Sequence, residues 1–287
     1  MNDSSGRLFI VATPIGNLSD ITERARHSLA NASLIAAEDT RHSKKLMQHL
    51  GIDTPLLAYH DFSDERVIDR VISTLVEGND VALVSDAGTP LVSDPGYRLV
   101  RRARELGLPV YPVPGASALT AGLSVSGIPC DRHAFEGFLP ARSGQRKQRL
   151  ESLKDEERTL VFFEAPHRIC EFLSDLAHSF GPDREIFVAR EISKAFEAPF
   201  FGSAGVAVQW CESDPNNQKG EFVIIVRGRS PADQSLESMN QARDLLTVLL
   251  DELPLKQAVA IAVRLTGSNK NAVYELALQM KAGSGES

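Results

Sequence analysis

The 287-residue chain has no basic excess: 31 Lys and Arg face 38 Asp and Glu, a formal net charge of −7. That balance excludes a protein that coats nucleic acid with its whole surface. An acidic exterior repels phosphate, so a polyanionic partner must be met by a local basic patch. No apolar run approaches the ~18 residues of a membrane span, and Met1 to Gly6 has neither the basic start nor the apolar core of a secretory leader. Cysteine is scarce. Cys130, Cys170 and Cys211 are far apart and form no C-x-x-C pair. Buried free thiols in a reducing compartment are therefore expected, not a disulfide framework or a zinc site. Together these absences predict a cytoplasmic chain with no membrane partner and no metal. Two nucleotide signatures are also missing: G-x-G-x-x-G follows no strand-like run, and G-x-x-x-x-G-K-[ST] does not occur. Cradling of NAD or ATP phosphates is unsupported.

What is present is ordinary globular composition, 43% hydrophobic and 24% charged, over a length suited to about two domains. The first half alternates short apolar runs with helical patterns, the mark of parallel α/β structure. Strands are predicted at Leu8–Ala12, Leu34–Ala37, Val81–Val84 and Val110–Pro112. Helices are predicted from Asp20, which with Glu23 reads as a capping box, to Ala30, over Asp64–Glu77 and over Tyr97–Leu106. Beyond Ile128-Pro129 further strands are expected at Ala134–Leu139, Thr159–Phe163, Glu185–Ala189 and Glu221–Val226. Helices fall near Gln145–Leu153 and His167–Phe180. Ser230–Glu237 reads as a polar linker, followed by three helices broken at Pro254 and Gly267-Ser268-Asn269. The expected organisation is two α/β domains, 1–127 and 128–230, and a helix-turn-helix-like extension over 231–287. For that tail, packing and RNA contact weigh equally.

Four loops follow strands of the first half: Pro14-Ile15-Gly16-Asn17, Asp86-Ala87-Gly88-Thr89-Pro90, Ser93-Asp94-Pro95-Gly96 and Pro114-Gly115-Ala116-Ser117-Ala118. Glycine admits close backbone approach and proline stiffens a turn. Each loop alone is ordinary punctuation. Four on the carboxyl edge of one sheet point to a small-molecule site such as one for an adenine nucleoside, with Asp86 able to bond a ribose hydroxyl or an amine. His60, Asp61, Asp64 and Glu65 read as a capped helix start in preference to a metal site. Glu164 to Arg168 and Arg190 to Lys194, at later strand ends, read equally as site residues and as surface ion pairs. Arg142, Arg146, Lys147 and Arg149, and the arginines at 98, 101, 102 and 104, are either solvated faces or the local positive footing that RNA requires.

Taken in order, VATPIGNLSDITERA (11–25), AEDTR (37–41), ALVSDAGTPLVSDPG (82–96), VPGASA (113–118), GFLP (137–140), RTLVFFEAPHRI (158–169) and KGEFVIIVRG (219–228) resemble the tetrapyrrole methylase superfamily, in its ribosomal RNA small subunit methyltransferase I branch. The resemblance spans residues 7 to 228, and the tail is similar to that branch's C-terminal extension. It implies two α/β domains with S-adenosyl-L-methionine as cofactor in the cleft between them, and 2′-O-methylation of a cytidine in the decoding region of 16S rRNA in the small ribosomal subunit, by a homodimer. By correspondence the cofactor would touch Pro14, Ile15, Asp86, Gly88, Thr89, Pro90, Gly115, Ser117, Ala118, Phe163, Lys219 and Gly220. Glu38, Asp39, Glu191 and Lys194 are the expected catalytic set, because a ribose hydroxyl needs a proton acceptor. Arg41, Arg142, Arg146, Lys147, Arg149, Arg168 and Arg190 are the expected RNA contacts, forming a positive rim on an acidic body. Methylation of a tetrapyrrole or a modified amino acid by the same fold, and a non-catalytic ribosome-binding factor, are the competing readings.

Overall fold

Short apolar runs alternate with amphipathic helices to build a wholly parallel sheet from β1 (Leu8–Val11), β2 (Leu34–Ala37), β3 (Leu56–Ala58), β4 (Val81–Val84) and β5 (Val110–Val113), in the order β3-β2-β4-β1-β5. The coordinates are a computed structural model describing residues 5–60 and 63–283. β2 and β4 are buried along their whole length, as strands covered on both faces must be. On one face Leu8, Ala36 and Leu83 pack with Val71 and Leu75 of α3 (Glu65–Val76) and Leu99 of α4 (Tyr97–Glu105). On the other, Val11, Ile35 and Ala82 meet Leu29 of α1 (Glu23–Asn31) and Met47 of α2 (Thr40–Leu50). Because every strand runs the same way, all the loops after them open on one edge.

The second sheet is mixed, in the order β6 (His133–Phe138), β7 (Thr159–Glu164), β10 (Phe222–Val226), β8 (Glu185–Arg190), β9 (Ala198–Ser203); only β6 and β7 pair in parallel. Helices α6 (Ser143–Leu153), α7 (Ile169–Phe180) and α8 (Ala204–Ser213) cover one face. The other face receives α5 (Ala118–Val125), whose Leu123 packs with Val161, Val223 and Ile225. One helix thus leaves the first sheet and caps the second. Both sheets fall in a single compact unit, Met1–Lys154 with Arg158–Arg227.

The other unit is Asp155–Glu157 with Gly228–Ser287. It holds α9 (Pro231–Glu252), α10 (Leu255–Thr266) and α11 (Lys270–Gly283) around Leu246, Val259, Val273 and Leu276. Gly267 closes α10 in the left-handed region, φ +70°, and the Asn269 side chain accepts the Asn271 N–H at 2.9 Å to start α11. This is the expected helix–turn–helix.

Several expectations are corrected. The cap of α1 is Thr22, which accepts the Ala25 N–H; Asp20 instead closes a 3₁₀ turn capped by Asn17. The 230–237 linker is helix from Pro231 onward, since proline suits a first helical turn. α2, β3, α5, β9 and α8 were not anticipated: the buried side of α2 is Ser43, Met47 and Leu50, so a serine interrupts its apolar stripe, and β3 has three residues. Asp64 does cap α3, through the Arg66 N–H, whereas Asp61 lies outside the described residues. Cys170 and Cys211 are joined by a disulfide, with Cα atoms 6.0 Å apart, and only Cys130 is free. Packing of α7 on α8 brings the two together, which sequence spacing does not reveal.

Arg146 is likewise not a surface cation. Its side chain is 1% exposed, and Nε donates to Asp175 Oδ2 at 2.7 Å while Nη2 reaches Glu171 at 3.2 Å. The basic run puts one arginine on the inner side of α6, where it serves the core. Replacing Asp175 by Ala removes the buried partner and leaves that guanidinium only the exposed Glu171 as an ionic partner; it should lower unfolding stability by about 3 kcal/mol, measured by chemical denaturation, and a loss below about 1 kcal/mol would show that the pair is not buried as described.

Candidate active site

The loops on the carboxyl edge of the first sheet are tied to one another by backbone and side-chain hydrogen bonds. Thr13 and Gly88 exchange both amide–carbonyl bonds, at 2.8 and 3.1 Å. Thr89 Oγ1 donates to the Ala116 carbonyl at 3.1 Å, and the Asp39 N–H donates to Asp86 Oδ1, also at 3.1 Å. Gly88 turns with φ +78°, and a Cβ there would meet Ile15 Cγ2 at 3.3 Å. Four strand ends are thereby held as one rigid rim.

Over that rim lies a cavity of about 420 Å³. Ile15, Glu38, Asp86 to Thr89, Val92 to Asp94, Ser117 and Ala118 form its first wall. The second sheet supplies Phe138, Phe163 to Pro166, Ile192, Lys194 and Glu221 to Val223. The size is that of a small-molecule site. Among the described residues its only lining cation is Lys194, set against the carboxyl groups of Glu38, Asp86, Asp94, Glu164 and Glu221. The cavity therefore favours a ligand that is planar and apolar in part and positively charged in part.

The non-glycine residues described with positive φ are Leu91 (73°), Ser93 (66°), Glu191 (54°) and Ser193 (67°). All four belong to segments that line the cavity. Such conformations cost of order 1–3 kcal/mol each and persist where the surroundings over-determine them. At the second segment the surroundings are explicit. Lys194 Nζ donates to Glu191 Oε1 at 2.8 Å and to Glu221 Oε2 at 2.9 Å, and the Glu221 N–H donates to Glu191 Oε1 at 2.9 Å. Ser193 Oγ reaches across to Asp20 at 2.7 Å, and the Lys194 stem fills the notch at Gly16, where a Cβ would lie 2.2 Å from Lys194 Cγ.

Burial works to raise the Glu191 carboxyl, but the bonds from Lys194 and the Glu221 N–H outweigh it and hold it below its ordinary range. Burial works to lower Lys194, and its two carboxylate partners hold it above. Asp39 is held low by the Arg41 guanidinium and N–H. Two other groups go the opposite way. Burial pushes up Asp94 and, against the Ala165 N–H and Arg168, Glu164. Glu164 Oε2 is buried without a hydrogen-bond partner.

Of the expected cofactor residues, Ile15, Asp86, Gly88, Thr89, Ser117, Ala118 and Phe163 line the cavity, whereas Pro14, Pro90, Gly115, Lys219 and Gly220 shape its loops. Gly115 lies against Ala12, where a Cβ would meet Ala12 Cβ at 3.0 Å. Gly220, φ +95°, makes room for Glu191, whose Cγ would sit 2.4 Å from a Cβ. Of the expected catalytic set, Glu38 and Lys194 reach the cavity. Asp39 caps α2 and pairs with Arg41, and Glu191 supports Lys194. Val92 to Asp94, Phe138, Ile192 and Glu221 to Val223 were missed, although their motifs were singled out; Phe138 ends β6, Ile192 follows β8, and Glu221 to Val223 open β10, which runs antiparallel to β7 and β8.

The expected RNA contacts divide. Arg41 is exposed, though paired with Asp39, and Arg142 at the start of α6 is exposed. Lys147 and Arg149 are about half exposed and paired with Asp175 and Glu136. Arg168 donates to the Leu139 and Pro140 carbonyls, and Arg190 to those of Lys219 and Phe196, so both fasten cavity loops. A loop carbonyl offers an arginine a fixed acceptor, and sequence alone does not distinguish that use from phosphate binding.

A family model described as Tetrapyrrole (Corrin/Porphyrin) Methylases matches residues 7–207, and one described as RsmI C-terminal HTH domain matches 238–281. The chain is 51% identical to the Ribosomal RNA small subunit methyltransferase I of Pseudomonas aeruginosa, over 98% of this chain and 100% of that protein. It is 45% identical to the protein of the same name from Escherichia coli O157:H7, over 98% and 97%. Among solved structures, uroporphyrin-III-C-methyltransferase from Thermus thermophilus superposes with a TM-score of 0.56 at 20% identity, over 77% of this chain and 94% of that one. A diphthine synthase superposes with a TM-score of 0.57 at 16% identity, over 78% and 91%. These two likenesses establish the fold.

The Glu191–Lys194 pair carries a pH signature. A carboxyl held below its ordinary 4.5 stabilises the fold above that pH and loses its contribution as pH falls through the folded value. Glu191→Gln should therefore cost about 1–2 kcal/mol near pH 7, with the deficit shrinking below about pH 4.5. Thermal denaturation across pH measures it, and a deficit independent of pH would contradict the pairing.

Proposed function

The chain belongs to the tetrapyrrole (corrin/porphyrin) methylase family, and from that membership we propose that it transfers a methyl group from S-adenosyl-L-methionine to small-subunit ribosomal RNA. The observation that carries the substrate is the near full-length match, tail included, to relatives named for that RNA. The finer reading is 2′-O-methylation of a cytidine in the decoding region of 16S rRNA, on the assembled subunit, by a cytoplasmic homodimer.

The cavity residues fit the donor. Its sulfonium and ammonium groups are cationic, matching Asp86 and Asp94, and Ile15, Ala118, Phe163 and Val223 offer apolar surface to an adenine ring. The bound donor supplies an electrophilic methyl group. The loops tied at Thr13–Gly88 and Thr89–Ala116 fix where that group points, and alignment of this kind reaches effective molarities of about 10⁵–10⁸ M. Glu38 accepts the proton of the attacking hydroxyl. Lys194, held by Glu191 and Glu221, closes the cavity over Gly16 and excludes water. Asp39 keeps Glu38 in place through its bond to Asp86. Arg41, Arg142, Lys147 and Arg149 hold the flanking phosphates.

Calorimetry should show donor binding, and small subunits from cells lacking the gene should gain methyl groups at one cytidine, resistant to alkaline hydrolysis at that ribose. Methylation on a base, or donor binding with no transfer to subunits, would count against the reading. Glu38→Gln should lower kcat by about 10²-fold or more with donor affinity kept; an unchanged kcat removes Glu38 from that role.

A further inference from the structure

β6 and β7 run in parallel with Phe135 opposite Val161, and then the register slips: Gly137 stands opposite Phe162 and Phe138 opposite Phe163. Glu136 is the inserted residue, a β-bulge, and a bulge re-aims the side chains that follow it. Residues three apart on a regular strand face opposite sides. Here Phe135 and Phe138 both meet Phe163 edge-on, with ring centres 4.9 and 5.8 Å from its own. Gly137 makes the bend with φ +62°, and a Cβ there would lie 2.7 Å from Ser93 Oγ, on the opposite wall of the cavity. Arg149 holds Glu136 at 2.6 Å. A bulge, a left-handed glycine and an ion pair thus combine to turn one phenylalanine into the cavity. The residue remains 54% exposed, although burial would be the stabilising fate of such a side chain.

We propose that the Phe138 ring is the platform on which the base of the target nucleotide stacks when that nucleotide enters the cavity. The inference rests on the RNA reading above and adds a residue that determines substrate binding. Sequence-specific RNA sites take up unstacked bases from loops and bulges on aromatic faces. Single-stranded sites combine such faces with nearby cations. Arg142, exposed four residues beyond Phe138, and the half-exposed Arg149 meet that description. The adenine of the donor shares the same chemistry. The exposure of Phe138 favours the incoming base, since donor-sized apolar surface is already offered by Ile15, Ala118 and Val223.

The test compares Phe138→Leu, Phe138→Trp and wild type, with donor affinity measured by calorimetry and KM measured for small subunits lacking the modification. Phe138→Leu keeps apolar volume and loses the ring. It should raise KM roughly tenfold or more, with donor affinity within about twofold of wild type. Phe138→Trp should restore KM. An unchanged KM in Phe138→Leu overturns the platform, and so does a loss of donor affinity that accounts for the whole defect, which assigns the ring to adenine. Both results leave the functional reading intact. A wild-type protein that methylates no subunit overturns both together.

Discussion

Thr13 and Gly88 exchange two backbone hydrogen bonds, and the cavity depends on that exchange. Thr13 follows β1 and is buried; Gly88 follows β4 and adopts a backbone conformation that a side chain would strain. The pair is an antiparallel bridge that joins the loops leaving two adjacent parallel strands. Thr89 then fastens to Ala116 and Asp39 to Asp86, so four loops inherit the rigidity of the sheet. Loops fixed in this way can hold positive φ at Leu91 and Ser93. The second sheet is secured to the rim through α5 and through Lys194 over Gly16.

This construction separates two electrostatic tasks that the net charge of −7 sets in opposition. The charged groups that line the cavity are carboxyls except for Lys194, which suits a cationic methyl donor and repels phosphate. Arg41, Arg142, Lys147 and Arg149 remain about half exposed or more. Arg146, Arg168 and Arg190 are used internally, to neutralise Asp175 and to fasten loops. The acidic composition thus confines polyanion contact to a few positions without preventing it.

Much of this was legible in the sequence. Parallel strands declared themselves as short apolar runs, and β2 and β4 were placed to the residue because strands buried on both faces carry no polar interruption. The Gly- and Pro-rich loops after them gave the cavity's first wall. The second wall was less legible. Phe138 reaches the cavity only because a bulge shifts its register, and a period-two reading puts it on the wrong face. The arginines were counted correctly but not sorted, because Arg146 differs from Arg149 only in which side of α6 it occupies. The disulfide and the α5 packing depend on contacts between elements distant in sequence, and no local pattern encodes them.

The central claim is that the tied loops on the carboxyl edge, facing the Phe163 and Glu221 wall, hold the donor. Amide hydrogen exchange with and without saturating S-adenosylhomocysteine tests it most directly. Exchange should slow at Thr13 to Gly16, Asp86 to Asp94, Gly115 to Ala118 and Glu221 to Val223, with α10 and α11 unaffected. Unchanged exchange in those loops while the ligand is bound, or protection confined to the helical tail, would contradict the account.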